Sequence, residues 1–295
     1  MNITKILAEE LNIKPSQVEA TIGLIDDGNT IPFIARYRKE VTGSLDDEVL
    51  RNLDERLRYL RNLEDKQQQV IASIAEQGKL TNELKEAIES ATTLVAVDDL
   101  YRPYRPKKRT RAMIAKEAGY EPLALEIMEQ DSAKHELLDA ADAKAIQGAK
   151  DIIAENISDN ADFRKAIRNA TYNLGLIESS LKDASLDPDK TYEMYYEYSE
   201  SISKCPGHRI LALNRGEDEK VLKVSIIGPD EDIIRVLNKY TITNPGNVST
   251  AEIIEDAVAD SYKRLIQPSI EREIRNDLTE KAQDGAIKVF GKNLN

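Results

Sequence analysis

The sequence predicts a mainly α-helical protein, an elongated array of helices around one long central helix. Three observations support this prediction. Ala, Leu, Glu and Lys are plentiful whereas aromatic residues make up only 5% of the chain, a bias that favours helices. Long alternating runs of β-branched residues are lacking. Most clearly, apolar residues between positions 49 and 74 recur mostly at steps of three and four, as along one face of a helix.

The central helix is expected to begin beside Ser44 and Asp47, which stand three residues apart as in a capping box. No Gly or Pro interrupts the pattern before Gly78, the type of residue that closes helices in a left-handed conformation. At about 1.5 Å per residue the helix would be roughly 48 Å long. Because such a helix has no globular core of its own, we expect neighbouring helices to pack along it.

Three shorter helices are expected before the central one. The first two cover residues 2–12 and 15–28, with Pro15 suited to a first helical position, and the third covers residues 31–40. Their order is helix-turn-helix-like, an outline that is also common in helical proteins that never contact DNA.

The third of these helices has an apolar side with Phe33, Ile34 and Tyr37 and a basic side with Arg36, Arg38 and Lys39. Two interpretations are open. The cations either form a solvated face beside packed aromatic rings, or they neutralise phosphates of a nucleic acid.

Further helices are expected at 82–90, 92–102, 110–118, 121–130, 142–157, 159–174, 206–216, 249–266 and 269–291. Between them, the acidic segment 178–201 holds four clustered tyrosines, which we expect to anchor it to the helices, and a turn signal at Asp187-Pro188-Asp189. We therefore predict a helical region at 1–200 and a second, mostly helical segment at 201–295. The best strand candidate is 220–227, whose natural partner is 240–243, so a small β element is expected near 220–243.

Charge and cysteine content restrict the classes of function. Acidic residues outnumber basic ones by 53 to 41, for a net charge of −12, so any contact with nucleic acid must use a local basic patch. The single cysteine excludes an internal disulfide framework and fits a reducing cytoplasm. No signal peptide or apolar run of about 18 residues is visible, so we expect a cytoplasmic protein without a membrane span.

The clearest charge anomaly is the segment YRPYRPKKRTRA at residues 101–112. It contains two prolines, two tyrosines, no acidic residue and six cations: Arg102, Arg105, Lys107, Lys108, Arg109 and Arg111. The prolines prevent a continuous helix and predict an extended loop. Its cations could neutralise phosphates while Tyr101 and Tyr104 stack on bases. Alternatively, the tyrosines pack inward and the cations pair with acidic groups of the protein.

The sequence shows no positive sign of catalysis. Two histidines and Cys205 are too few for most zinc or nucleophilic chemistry, and no third residue is indicated to orient a pair formed by Cys205 and His208. Phosphate-loop, dinucleotide-binding and kinase motifs are absent from the sequence. We expect no catalytic residue, metal site, cofactor or small-molecule substrate.

Several long strings, in order along nearly the whole chain, resemble the N-terminal region of the bacterial Tex family of transcription accessory proteins. These strings are TIPFIARYRKEVTGSLDD, DDLYRPYRPKKRTRA, PGHRILALNRGE and SYKRLIQPSIEREIRNDLTEKAQDGAIKVF. The resemblance implies a cytoplasmic, helix-rich, multidomain protein that binds nucleic acid and supports transcription. It also implies an RNase H-like domain, tandem helix-hairpin-helix elements and an OB-fold RNA-binding module after this region, so we expect a chain truncated just before the RNase H-like domain.

Our hypothesis is a non-enzymatic N-terminal scaffold that contacts the phosphates of DNA or RNA through the basic loop, with Arg36, Arg38 and Lys39 as a second group. The alternative is a scaffold for proteins only, either RNA polymerase or the downstream domains of the same protein. The two differ in salt dependence, because about four phosphate contacts predict a log–log slope near −3 to −4.

Overall fold

The computed structural model describes residues 1–133 and 135–293, with the side chains of residue 288 and residues 290–293 left out. The chain forms two compact units, Met1–Tyr104 and Arg105–Asn295. Both are mainly helical, as predicted. Among the described residues, no helix combines the length and the apolar composition that crossing a membrane requires.

Unit 1 consists of helices only. They are α1 (Ile3–Leu11), α2 (Pro15–Asp26), α3 (Ile31–Tyr37), α4 (Lys39–Thr42), α5 (Asp47–Glu76), α6 (Asn82–Ser90) and α7 (Leu94–Tyr101). The third predicted helix is in fact two, because the backbone at Arg38 leaves the helical region, with φ −129° and ψ 24°. Helices α1, α2, α3, α6 and α7 all pack on α5, so the long helix is the centre of unit 1.

The predicted start of the long helix is wrong in detail. Asp46, not Ser44, is the N-cap of α5, and its side chain accepts a hydrogen bond from the amide of Val49. Ser44 instead adopts a left-handed conformation with φ 62°. The predicted end is confirmed, since Gly78 has φ 67° and follows the last turn.

Unit 2 is a helical assembly with one small sheet. Its elements are α8 (Arg111–Glu117), α9 (Glu121–Glu129), α10 (Glu136–Ala140), α11 (Ala143–Ser158), α12 (Ala161–Leu174), β1 (Leu176–Leu181), β2 (Glu197–Ser201), α13 (Gly207–Asp218), β3 (Leu222–Ile227), α14 (Asp230–Thr241), α15 (Val248–Asp260) and α16 (Gln267–Asn293). A π-helical turn, Ser261–Ile266, joins α15 to α16. The break expected near Pro268 is thus a change of hydrogen-bonding register, as befits a residue without an N–H group.

The predicted strand pairing is also wrong. The sheet has the order β2-β1-β3 and is antiparallel throughout, with Leu176 opposite both Ser201 and Ile227. Residues 240–243 do not form a strand, since α14 extends to Thr241. The expected division between residues 200 and 201 falls within β2 (Glu197–Ser201), and the two segments remain a prediction.

The tyrosines of the acidic segment anchor it, as expected. Tyr192 and Tyr195 are buried in the main core of unit 2, and Tyr196 and Tyr198 pack against it. Nearby, α13 does not end at Gly216. That glycine is buried inside the helix, where an added Cβ would lie 2.6 Å from a methyl group of the neighbouring strand.

Candidate nucleic-acid interface

The basic loop, residues 102–111, connects α7 to α8. Its first three residues, Arg102–Tyr104, form a 3-10 turn, and residues 105–110 have no regular structure. Pro103 and Pro106 explain why α7 does not continue, because neither has an N–H group for a helical hydrogen bond. Thr110 ends the loop by capping α8 with its side-chain oxygen.

The tyrosines beside the loop pack inward. Tyr101 is half-buried, and its hydroxyl lies 2.9 Å from Ser73 Oγ on α5. Tyr104 is half-buried too, and its carbonyl accepts a hydrogen bond from Gln77 Nε2 at 3.0 Å. Both rings belong to a core of unit 1. Their arrangement supports the second interpretation of these tyrosines and leaves base stacking to other residues.

Lys107 is held inside the protein. Its ammonium group pairs with Asp159 and lies 3.6 Å from Glu155 Oε1, and only 24% of its side chain is exposed. Both acids stand at the carboxyl end of α11, where a cation also complements the helix dipole. Lys107 therefore anchors the middle of the loop to α11.

The remaining loop cations differ in exposure and pairing. Arg102 is half-buried, whereas Arg105, Lys108, Arg109 and Arg111 are exposed. Arg109 makes a solvent-exposed ion pair with Glu117 at 2.7 Å. Within residues 1–133 and 135–293, no acidic group lies within ion-pair distance of Lys108 or Arg111. The loop thus presents four exposed cations beside one anchored lysine.

The second predicted group of cations, Arg36, Arg38 and Lys39, lies along α3 and at the start of α4. Arg36 and Lys39 are exposed, and no acid of the described chain pairs with either. Arg38 is half-buried, with its guanidinium carbon 5.3 Å from the centre of the Phe33 ring. The packed aromatic rings of the first interpretation are not observed, because Phe33 and Tyr37 are 36% and 59% exposed.

Sequence reasoning missed these two rings as candidate contacts. The signal was present, because Phe33 and Tyr37 are four residues apart and so share one face of α3. Of the three residues on the predicted apolar side, only Ile34 is completely buried, against Leu45 and Leu50. A seven-residue helix needs only such a narrow apolar face to dock, and the aromatic side remains in solvent.

Cys205 and the two histidines differ in burial and in their neighbours. Burial raises the pKa of the Cys205 thiol to about 11, and its sulfur lies 3.9 Å from the Tyr198 hydroxyl. His208 is exposed, and His135 is half-buried with Nε2 3.3 Å from the side-chain amide of Asn247. Clusters of three or more metal-binding side chains are not found in the described part of the chain.

Three acidic residues of unit 1 make local contacts. Asp26 accepts two hydrogen bonds, at 2.7 and 2.8 Å, from Arg61, and these bonds lower the pKa of Asp26. Asp46 caps α5, and Asp98 pairs with Lys66 at 3.2 Å.

Two family descriptions match this chain. "Tex-like protein N-terminal domain" matches residues 1–75 and "Tex central region-like" matches residues 122–290. The second match alone covers more than half of the chain, and the basic loop lies between the two matched ranges.

Curated relatives match along the whole chain. An uncharacterized protein of Bacillus subtilis, YdcI, is 48% identical over 98% of this chain and 42% of its own length. The transcriptional accessory protein Tex of Neisseria gonorrhoeae is 39% identical over 100% of this chain and 40% of its own. The human S1 RNA-binding domain-containing protein 1 is 32% identical over 99% of this chain and 32% of its own length. The chain therefore spans about two fifths or less of these relatives, and it belongs to the Tex-like family.

Proposed function

We propose that this chain is a non-enzymatic, nucleic-acid-contacting region of a cytoplasmic transcription accessory factor. The observation that carries the proposal is the basic loop, where Arg105, Lys108, Arg109 and Arg111 are exposed in a chain of net charge −12. Relatives named as a transcriptional accessory protein and as an RNA-binding-domain protein support this class of function. The proposal includes no cofactor, metal or small-molecule substrate.

The loop is suited to phosphates rather than to base edges. Its exposed groups are long cationic side chains, and cations that neutralise phosphates release condensed counterions whatever the base sequence. The Lys107 anchor to Asp159 holds the loop backbone in place, which lowers the conformational entropy lost on binding. Arg109 can leave Glu117 at little cost, because exposed ion pairs contribute less than about 1 kcal/mol.

The test is fluorescence anisotropy of labelled duplex DNA and labelled single-stranded RNA, titrated with the chain at several salt concentrations. We expect a log–log salt slope near −3 to −4, from about four phosphate contacts. The double variant Lys108→Glu/Arg111→Glu should weaken binding and reduce the slope by about 2.

The matched control is Lys204→Glu/Lys223→Glu, which changes the net charge of unit 2 by the same amount at two other exposed lysines. It should bind nearly as the unmodified chain does. Equal weakening by both variants would show a general charge effect and contradict a role for the loop. Absence of binding at low salt would leave the alternative function, a scaffold for RNA polymerase or for downstream domains of the protein.

A further inference from the structure

The α3 face, which we define as Phe33, Arg36, Tyr37, Arg38 and Lys39, places aromatic rings and cations together in solvent. The Phe33 and Tyr37 ring centres lie 5.2 Å apart, with the planes tilted by 47°. The Arg38 guanidinium lies over Phe33 at 5.3 Å. Tyr37 is at the outer end of this arrangement and has the larger exposed surface. Phe33 thus supports the Tyr37 ring, and most of the Tyr37 side chain stays accessible to a partner.

Charge on the α3 face selects the kind of partner. Arg36, Arg38 and Lys39 stand against one acid, Glu40, within the ranges of α3 and α4. No acid among the described residues pairs with Arg36 or Lys39, although the chain as a whole carries −12. A partner that uses both the rings and the cations must therefore combine flat apolar surfaces with negative charge.

The α3 face is held rigidly from behind. Ile34 is completely buried, and the amide of Arg38 donates to the carbonyl of Ile34 at 3.0 Å. At the end of α4, Gln17 Nε2 donates to the carbonyls of Thr42 and Gly43 at 3.0 and 3.2 Å. The helix therefore cannot turn its rings inward without exposing Ile34.

We propose that the α3 face binds single-stranded nucleic acid, with an unpaired base stacked on Tyr37 and the adjacent phosphates contacted by Arg36 and Lys39. Aromatic platforms beside cations are the physical basis of single-strand binding, because every base has a flat face for stacking and every nucleotide a negative charge. Bases within a duplex are already stacked on each other and offer this face only at the ends.

This inference deepens the proposed function, since it names the form of nucleic acid, but it uses residues other than those of the basic loop. Stacking contributes about 1–3 kcal/mol per base, so its loss should weaken binding by about fivefold or more. The contribution should appear only with single strands.

The experiment compares a single-stranded oligonucleotide with a duplex of the same sequence by fluorescence anisotropy, using RNA and DNA versions of each. Tyr37→Ala should weaken single-strand binding by about fivefold or more and leave duplex binding unchanged. Tyr37→Phe, which keeps the ring, should bind as the unmodified chain does. Because Tyr37 is largely exposed, both variants should fold, and circular dichroism checks this.

The outcomes separate this inference from the proposed function. Loss of duplex binding in Lys108→Glu/Arg111→Glu, with Tyr37→Ala silent on every oligonucleotide, would overturn the α3 proposal and leave the loop proposal standing. Equal loss with single strands and duplexes in Tyr37→Ala would also overturn it. Weaker single-strand binding in Tyr37→Ala but not in Tyr37→Phe would support the α3 proposal, even if Lys108→Glu/Arg111→Glu had no effect.

Discussion

At the basic loop, Tyr101 and Tyr104 pack against a core of unit 1, whereas on α3 the aromatic rings stay in solvent beside the cations. Tyr101 reaches Ser73 on α5, and Tyr104 is tied to Gln77. By contrast, Phe33 and Tyr37 contact each other and are exposed. Cations with interleaved aromatic residues therefore form two different surfaces in one chain.

The difference comes from what each segment must bury. The loop follows α7, whose last residue, Tyr101, lies against α5 and must fill space in that core. Helix α3 is anchored by the buried Ile34, with Ile31 and Ala35 packed beside it, which leaves its aromatic side without a packing role. We conclude that the loop offers charge to a partner, and that the α3 face offers charge and ring surface.

We expect the largest effect from a comparison of the buried and exposed sides of α3. Ile34→Ala removes a completely buried side chain, and we expect it to lower the free energy of unfolding by about 2–4 kcal/mol. Tyr37→Ala on the same helix should lower it by less than about 1 kcal/mol. Urea unfolding followed by circular dichroism measures both. Similar losses in the two variants would mean that Tyr37 packs in solution and that the two basic segments are alike.

The next effect tests adjacent lysines of the loop. Lys107→Ala removes a cation that pairs with Asp159 and lies close to Glu155, so the free energy of unfolding should fall by about 1–3 kcal/mol. Lys108→Ala should change it by less than about 0.5 kcal/mol but weaken binding of nucleic acid. The same unfolding experiment, with anisotropy on each variant, checks the pair. The anchor assignment fails if Lys107→Ala is as stable as the unmodified chain.

A smaller effect tests the turn that holds the α3 face in place. Gly43 has φ 65°, and a Cβ there would lie 2.8 Å from Gln17 Nε2. Gly43→Ala should therefore lower the free energy of unfolding by about 1–2 kcal/mol. Gly78→Ala is the matched control, because Gly78 has φ 67° but open space around its Cα. An equal fall in the free energy of unfolding in both variants would mean that backbone strain explains the whole effect and that the contact with Gln17 contributes nothing.

Much of the helical structure was predictable because its signals are local. Pro15 begins α2, Thr81 caps α6 and Gly78 follows α5, each a signal within a few residues of its effect. The sheet was not predictable, because β1 pairs with strands far from it in the chain. The sequence of β1, LIESSL, also carries little apolar alternation. Residues 240–243 read as a strand, yet the acids at the start of α14 favour a helix through Thr241.

The sequence predicted which cations the candidate site contains, but not which acids they pair with. Counting charges located the basic loop and the cations of α3 and α4. It could not distinguish Lys107 from Lys108, because the acid that engages Lys107 is 52 residues away in the chain. Nor could it show that Phe33 and Tyr37 remain in solvent, since that depends on how few side chains α3 must bury.

The smallest effect on stability concerns Arg109, an exposed loop cation that forms an ion pair with Glu117 of its own unit. Glu117→Gln removes the exposed ion pair and should change the free energy of unfolding by less than about 0.5 kcal/mol. It also frees Arg109 for a phosphate, so binding of duplex DNA should tighten and the log–log salt slope should steepen by up to about 1. Anisotropy at several salt concentrations measures both.

A suitable control for this variant is Glu121→Gln, which removes another acid of the same unit, one that pairs with Lys116 at 3.2 Å. If it tightens binding as much as Glu117→Gln does, the gain reflects net charge alone. If only Glu117→Gln steepens the slope, Arg109 contacts phosphate when released. The loop would then hold part of its charge in a weak internal pair that nucleic acid displaces, whereas the α3 face holds Arg36 and Lys39 ready without such competition.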